Sequence, residues 1–329
     1  MNKANLKYAL LVLLAAVLLS VSGIWHHQSL LQPENSGRLV FAQTYNHGSD
    51  LSKVIITTPQ QNKITFELEN NLWEVKEADY YFADMKLLNQ LFITMNTSRL
   101  LYRQPYSNNL LNQAYLHNPL NRRNQYNGYA IQTYDNRGQL LDEFIVGHKT
   151  ANRTFQYIKA IGQDEIWLTD GNYQLPQDPA SWLIQPITDY SADMIESIGI
   201  TENESRSFIQ REDLPYPFIN AAGDVVNPTA LLERFNYLIA EKILSAQNFD
   251  ERLFPNHREI ILTFFNGLIV QVNLFYDNAN YWLKIKLSAT DLPTLPVKAY
   301  INDNKYLYED WYFKIPSSAG EVLSQYKFN

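Results

Sequence analysis

Residues Lys63 to Leu101 read as strand, tight turn, return strand and amphipathic helix, a module too small to bury its apolar surface unaided. Ile64, Phe66 and Leu68 alternate with Thr65, Glu67 and Glu69, the two-residue period of a half-buried strand. Asn70-Asn71 offers the turn, Leu72-Trp73-Glu74-Val75 begins the return, and Asp84 is placed to cap a helix. Met85, Leu88, Phe92 and Met95 recur at spacings of three and four, so they share one helix face, which should lie across the hairpin. Both elements need a larger sheet. Leu51 to Thr58, β-branched and ended by Pro59, supplies a first strand. After an Asn-rich polar loop through Tyr115-Leu116-His117-Asn118-Pro119, an antiparallel meander follows: Tyr129 to Tyr134, Leu140 to Val146, Phe155 to Ala160 and Ile166-Trp167-Leu168. Its turns are short, as at Asp135-Asn136-Arg137-Gly138.

The same order recurs in the second half. Ser207 to Arg211, a proline-broken return at Leu214 to Ile219, and Val225-Val226 lead to Asn227 as a helix cap, with Pro228 in the first helical turn. Leu231 or Leu232, Phe235, Leu238 or Ile239, and Ile243 keep helical spacing and predict a second helix. Arg258 to Phe264 and Leu268 to Phe275 flank Asn266-Gly267, a strong hairpin signal, and Tyr281 to Leu287 adds a third strand. The offset is about 145 residues at the helix and about 130 at the meander, so a repeat with trimmed loops is expected. Trp311 to Pro316 would take in the second half the place of Trp182 in the first. The expected fold class is therefore α+β: an N-terminal transmembrane helix, then two tandem related units, each a mostly antiparallel sheet with an amphipathic helix packed on one face. The boundaries are 1–7 cytoplasmic N-terminus, 8–25 transmembrane anchor, 26–50 stalk or lead-in strand, 51–185 first unit and 186–329 second unit, with Pro186 at the seam. Trp73, Asp84, Gly147, Trp182 and Pro228 are the expected structural positions.

Lys3 and Lys7 precede an apolar run from Tyr8 to Val21 that continues through Ile24 to Trp25. At 1.5 Å per residue, about 18 residues approach the roughly 30 Å of a hydrocarbon layer. An uncleaved anchor would use the lysines as its cytoplasmic flank and Trp25 as an interfacial residue. A cleaved signal peptide would use Ser20-Val21-Ser22. The length of the run and the poor cleavage site favour the anchor, and the want of any cysteine excludes a lipoprotein. With no second apolar run of that length, the body is expected in the periplasm or outside the cell, tethered to a bacterial inner membrane by a single pass.

Charged residues are 19% of the chain, the net charge is −7, and acids and bases are mixed along it. This argues against a nucleic-acid partner, which calls for a basic face. Twenty-two tyrosines and sixteen phenylalanines suit strands. The absence of cysteine removes disulfides, thiolate nucleophiles and thiolate metal sites together. His26, His27, His47, His117, His148 and His257 fall in no metal-ligand spacing, and Asp164-Glu165 and Glu309-Asp310 are neighbours that would point to opposite faces of a strand. No catalytic, cofactor-binding or metal-binding residue is assigned, and no cofactor is expected. One aromatic cluster stands out near the C-terminus. Tyr306, Tyr308, Trp311 and Tyr312, with Tyr300 and Phe313 nearby, could form a ligand or partner surface, burial at the end of the second sheet being the alternative.

Val54-Ile55-Ile56, Ile64-Thr65-Phe66, Leu72-Trp73-Glu74-Val75, Ala83-Asp84, Leu116-His117-Asn118-Pro119, Phe144-Ile145-Val146-Gly147, Ile166-Trp167-Leu168 and Ser181-Trp182-Leu183 together carry a resemblance. The chain resembles the bacterial family known as domain of unknown function 4340, over roughly Leu51 to Ile200. It departs from that pattern at Ala114-Tyr115-Leu116, where tyrosine-glycine-leucine is expected before the proline. The resemblance implies one N-terminal span, an extracytoplasmic body and a place beside components of ABC-type transport systems; it brings no catalytic residues. The expected function is a non-enzymatic accessory or scaffold protein with a protein partner in a membrane assembly. A binding module for a glycan or lipid is the alternative.

Overall fold

The computed structural model describes residues 36–121, 124–277, 279–291 and 293–328. The expected anchor over 8–25 and the short N-terminal segment before it lie outside them. Among the described residues no helix is long and apolar enough to cross a membrane.

Two nine-stranded antiparallel sheets dominate. The first comprises β1 (Leu51–Thr57), β2 (Lys63–Glu69), β3 (Leu72–Val75), β4 (Tyr81–Phe82), β5 (Leu100–Gln104), β6 (Tyr129–Asp135), β7 (Leu140–Lys149), β8 (Gln156–Ala160) and β9 (Ile166–Thr169), in the order β4-β3-β2-β1-β6-β7-β8-β9-β5. The second comprises β10 (Ile195–Glu202), β11 (Ser205–Gln210), β12 (Phe218–Asn220), β13 (Val225–Val226), β14 (Lys242–Ser245), β15 (Asn256–Phe264), β16 (Leu268–Tyr276), β17 (Tyr281–Ala289) and β18 (Trp311–Ile315). Its order is β13-β12-β11-β10-β15-β16-β17-β18-β14, the first order with every strand advanced by the same count. Finer details repeat as well. The β1·β6 ladder slips between Leu51 and Lys53, and the β10·β15 ladder slips between Ile195 and Ser197, a bulge at the start of the corresponding strand in each sheet. β6 and β15 both end in a turn closed by a glycine with positive φ. Gly138 (φ 77°) donates to the Asp135 carbonyl at 3.0 Å, and Gly267 (φ 88°) to the Phe264 carbonyl at 2.8 Å.

Contacts divide the chain into two compact units. One runs through Thr65 and resumes over Asn89–Leu175; the other comprises Phe66–Leu88 and Pro176–Asn329. In the first unit, Val54, Ile56, Ile131 and Ile158 are buried on one face of the sheet, and Ile145 and Ile166 on the other, where they pack with Leu111, Ala114 and Leu116. The described part of the stretch expected as stalk or lead-in strand is packed there. Val40 and Phe41 are buried, the Phe41 ring lies 5.1 Å from that of Phe144, and helix α1 (Ala42–Asn46) follows. Thr44 donates its backbone N–H to Asp142 at 2.6 Å. The Asn-rich loop contains an unexpected helix, α3 (Asn108–Ala114), capped by the Ser107 hydroxyl, which accepts from the Leu110 N–H at 3.1 Å. Gly147 lets this helix close on β7, since a Cβ there would stand 2.2 Å from the Ala114 carbonyl oxygen.

The helix opened by Asp84 is α2 (Met85–Thr97). Asp84 accepts the Lys86 N–H at 2.8 Å, as a cap should, and its own N–H donates to the Trp182 carbonyl at 2.7 Å. The buried stripe runs through Leu88, Leu91 and Met95, while Met85 is exposed, so the face is rotated from the expected one. Trp182 ends a single 3-10 turn, Pro179–Trp182, fully buried, with its indole N–H donated to the Pro176 carbonyl at 3.1 Å.

In the second unit the expected helix is corrected. α4 is one turn, Thr229–Leu232, with Pro228 at its cap position and Asn227 Oδ1 accepting the Thr229 N–H at 3.0 Å. Tyr237 adopts φ 57°, which no right-handed helix accommodates, and Ile243 lies on β14 opposite Phe313. Phe235, Leu238 and Ile243 are buried, as their spacing suggested, but by a chain that folds back to supply the edge strand that β5 supplies in the first sheet. Trp311 likewise corresponds to a residue of β9, and not to Trp182. Two further helices, α5 (Leu295–Asn304) and α6 (Ser317–Gln325), complete the unit, with α6 packed on β16 and β17.

Candidate functional site

The C-terminal aromatics are mostly interior. Tyr308, Trp311 and Tyr312 are buried, and Tyr306 keeps 41% of its surface exposed. The β3–β4 arm, which belongs to the same unit, covers them. The Tyr81 ring stands edge-on to Trp311 at 5.1 Å and to Phe313 at 5.8 Å, and Phe82 meets Tyr306 at 4.9 Å. The arm is pinned by Asp79, whose carboxylate accepts from the Ser245 N–H and hydroxyl, both at 2.9 Å, and from Asn248 at 2.7 Å. Burial pushes the Asp79 carboxyl up, and these hydrogen bonds outweigh it and hold it below its ordinary value. Tyr312 stacks on Phe249 at 4.0 Å, carries the Lys284 ammonium 4.5 Å from its ring centroid, and donates its hydroxyl to Glu251.

Tyr308 leads from this cluster to a cleft that the aromatic pattern alone does not reveal. The cleft measures about 400 Å³. It is built from three stretches: the lead into β10 (Asp189, Tyr190, Met194), the β15–β16 turn with its flanks (Phe264, Asn266, Leu268) and the start of α5 (Pro296, Val297, Tyr300). Tyr190, Phe264, Leu268 and Val297 form a buried floor, and the other five residues an exposed rim. The Asn266-Gly267 turn shapes one wall, with Asn266 Oδ1 accepting the Leu268 N–H at 3.0 Å. Pro296 starts α5, and the three-residue step from Val297 to Tyr300 turns both toward the cleft. The Tyr190 ring meets Phe264 edge-on at 5.2 Å. Its hydroxyl is buried and interacts with those of Tyr300 and Tyr308. Burial, reinforced by the neighbouring phenols, pushes the Tyr190 and Tyr308 hydroxyls up, so both are protonated at neutral pH.

A second recess, about 430 Å³, is polar and is lined by Glu202, Asn203, Ser205, Ser207, Arg258 and the C-terminal residues Tyr326 to Phe328, together with Ile200. Arg258 is already paired there with Glu202. Elsewhere, His148 stacks on Tyr115 with ring centroids 3.7 Å apart, and burial pulls its pKa down. His117 Nε2 lies 2.7 Å from Asn112 Oδ1. His26 and His27 lie outside the described residues. Among the described residues no three histidines or acids gather as a metal site. Compared with known proteins, the chain matches no family model, no curated protein and no solved structure.

Proposed function

We propose that this chain is a membrane-anchored, extracytoplasmic, non-enzymatic accessory or scaffold protein that works beside an ABC-type transport system. One observation carries the reading: the same nine-strand sheet, in the same strand order, occurs twice in one chain. Most of the polypeptide is thereby spent on a duplicated platform, as suits a protein that presents surfaces. In this reading the apolar run over 8–25 tethers the body to a bacterial inner membrane, and the partner is a protein of the membrane assembly. The resemblance to the domain of unknown function 4340 family gains support at one residue. Tyr115 has φ 55°, and it stands where that family's pattern has glycine, the residue best suited to this backbone conformation. The test is crosslinking of the full-length protein in its native membrane followed by pull-down. A transport component recovered in near-stoichiometric amount is the expected result, and recovery of no specific companion contradicts the proposal.

A second reading, a binding module for a glycan or lipid, is favoured by a different observation, the apolar floor of the cleft beside Tyr190.

A further inference from the structure

We infer that this cleft binds an uncharged molecule with a hydrocarbon body and a single hydrogen-bonding group, a medium-chain alcohol or its ester being the simplest case. The inference rests on the binding-module reading and narrows it. Its volume of about 400 Å³ falls within the range of roughly 300–1,000 Å³ typical of small-ligand sites. The floor of Tyr190, Phe264, Leu268 and Val297 gives a hydrocarbon body apolar contact on several sides.

The polar chemistry is as selective as the apolar. Tyr190 is more than nine-tenths buried, and the polar neighbours of its hydroxyl are the phenols of Tyr300 and Tyr308. Each phenol has one O–H donor and spare acceptor capacity, so three clustered phenols leave hydrogen-bonding capacity that one hydroxyl or carbonyl oxygen of an entering ligand can take up. Tyr300, on the rim, places a second phenol beside it. Charge sets the remaining limit. Among the described residues no lysine, arginine or histidine lines the cleft, and the one carboxyl there is Asp189 on the rim. A carboxylate or phosphate head would enter beside a like charge with no cation to meet it. An uncharged head meets no such barrier.

The experiment uses the full chain in lipid nanodiscs with a decanol bearing a mid-chain diazirine. After irradiation, label is expected on the peptides carrying Met194 and Val297, displaced by excess decanol about tenfold more effectively than by decanoate or decane, the ratio one well-made hydrogen bond supplies. Met194→Trp, which fills the exposed rim without disturbing the floor, should abolish the label while the thermal midpoint stays put. Tyr190→Phe should keep the label and erase the preference for decanol over decane. Label scattered over the body, or unchanged by Met194→Trp, overturns the inference. If labelling fails while the protein is retained on an immobilised glycan panel, the hydrocarbon assignment falls and the wider binding-module reading stands. If both fail, both fall.

Discussion

The Arg258 guanidinium lies 2.6 Å from the Glu202 carboxylate while the same side chain donates to the carbonyls of Leu323 and Tyr326 at 3.0 and 2.8 Å. One buried cation thus holds the end of β10 and the last turn of α6, whose unpaired carbonyls are natural acceptors. Tyr276 completes the arrangement by donating to the other Glu202 oxygen at 2.9 Å. Burial pushes Glu202 up, and the hydrogen bonds from Arg258 and Tyr276 outweigh it, so the carboxyl is held below its ordinary 4.5.

A carboxylate whose folded pKa is depressed stabilises the fold above the unfolded value, and that contribution is lost as pH falls through the folded one. Denaturant titrations should therefore show the wild type losing stability below about pH 4.5 more steeply than Glu202→Gln. At pH 7 the variant should be weaker by about 1–3 kcal/mol, since a hydrogen bond to a charged group is lost around a buried guanidinium. Parallel pH profiles for the two proteins would remove this role.

The glycines of the two equivalent turns should not respond alike. Each has φ well into the left-handed region, where a side chain costs about 1–2 kcal/mol. At Gly138 an added Cβ meets nothing within 4 Å, whereas at Gly267 it would stand 2.8 Å from the Thr290 hydroxyl and 3.1 Å from the Pro293 Cα. Gly138→Ala should show the conformational cost alone, and Gly267→Ala that cost plus a clash. Chemical denaturation of the two variants checks the ranking.

Tyr115 covers the His148 imidazole, and burial keeps that ring's pKa below its ordinary 6.5. Tyr115→Gly relieves the left-handed backbone and uncovers the ring. The His148 pKa should rise toward 6.5, read from its imidazole resonances in an NMR titration. An unchanged value would assign the burial to other neighbours.

The strands were legible because their signals are local. Period-two runs such as Arg258 to Phe264, closed by Asn266-Gly267, define a strand and its turn within ten or so residues. The duplicated order could be read for the same reason. The segment after Pro228 departs from the expected helix although Phe235, Leu238 and Ile243 are all buried, because spacing reports burial without reporting the path between buried residues. What decided that path was the unpaired edge of β18, a tertiary demand. Helix α3 carried a readable cap at Ser107, and α5 a readable Pro296 near its start; the polar composition of both stretches masked them. The cleft was out of reach. Its walls come from residues near 190, 265 and 297, and no local pattern joins them. The aromatic cluster was legible as composition, but only the β3–β4 arm decides which of its rings are covered.

The proposed function requires a body held outside the cytoplasm by the leading segment, and a chain without cysteine makes that directly measurable. Lys305→Cys, at an exposed position, and Asn5→Cys would be expressed singly at full length and treated with a membrane-impermeant maleimide in spheroplasts, then again after lysis. The expected result is labelling of Lys305→Cys in intact spheroplasts and of Asn5→Cys only after lysis. Protection of Lys305→Cys until lysis would contradict the account.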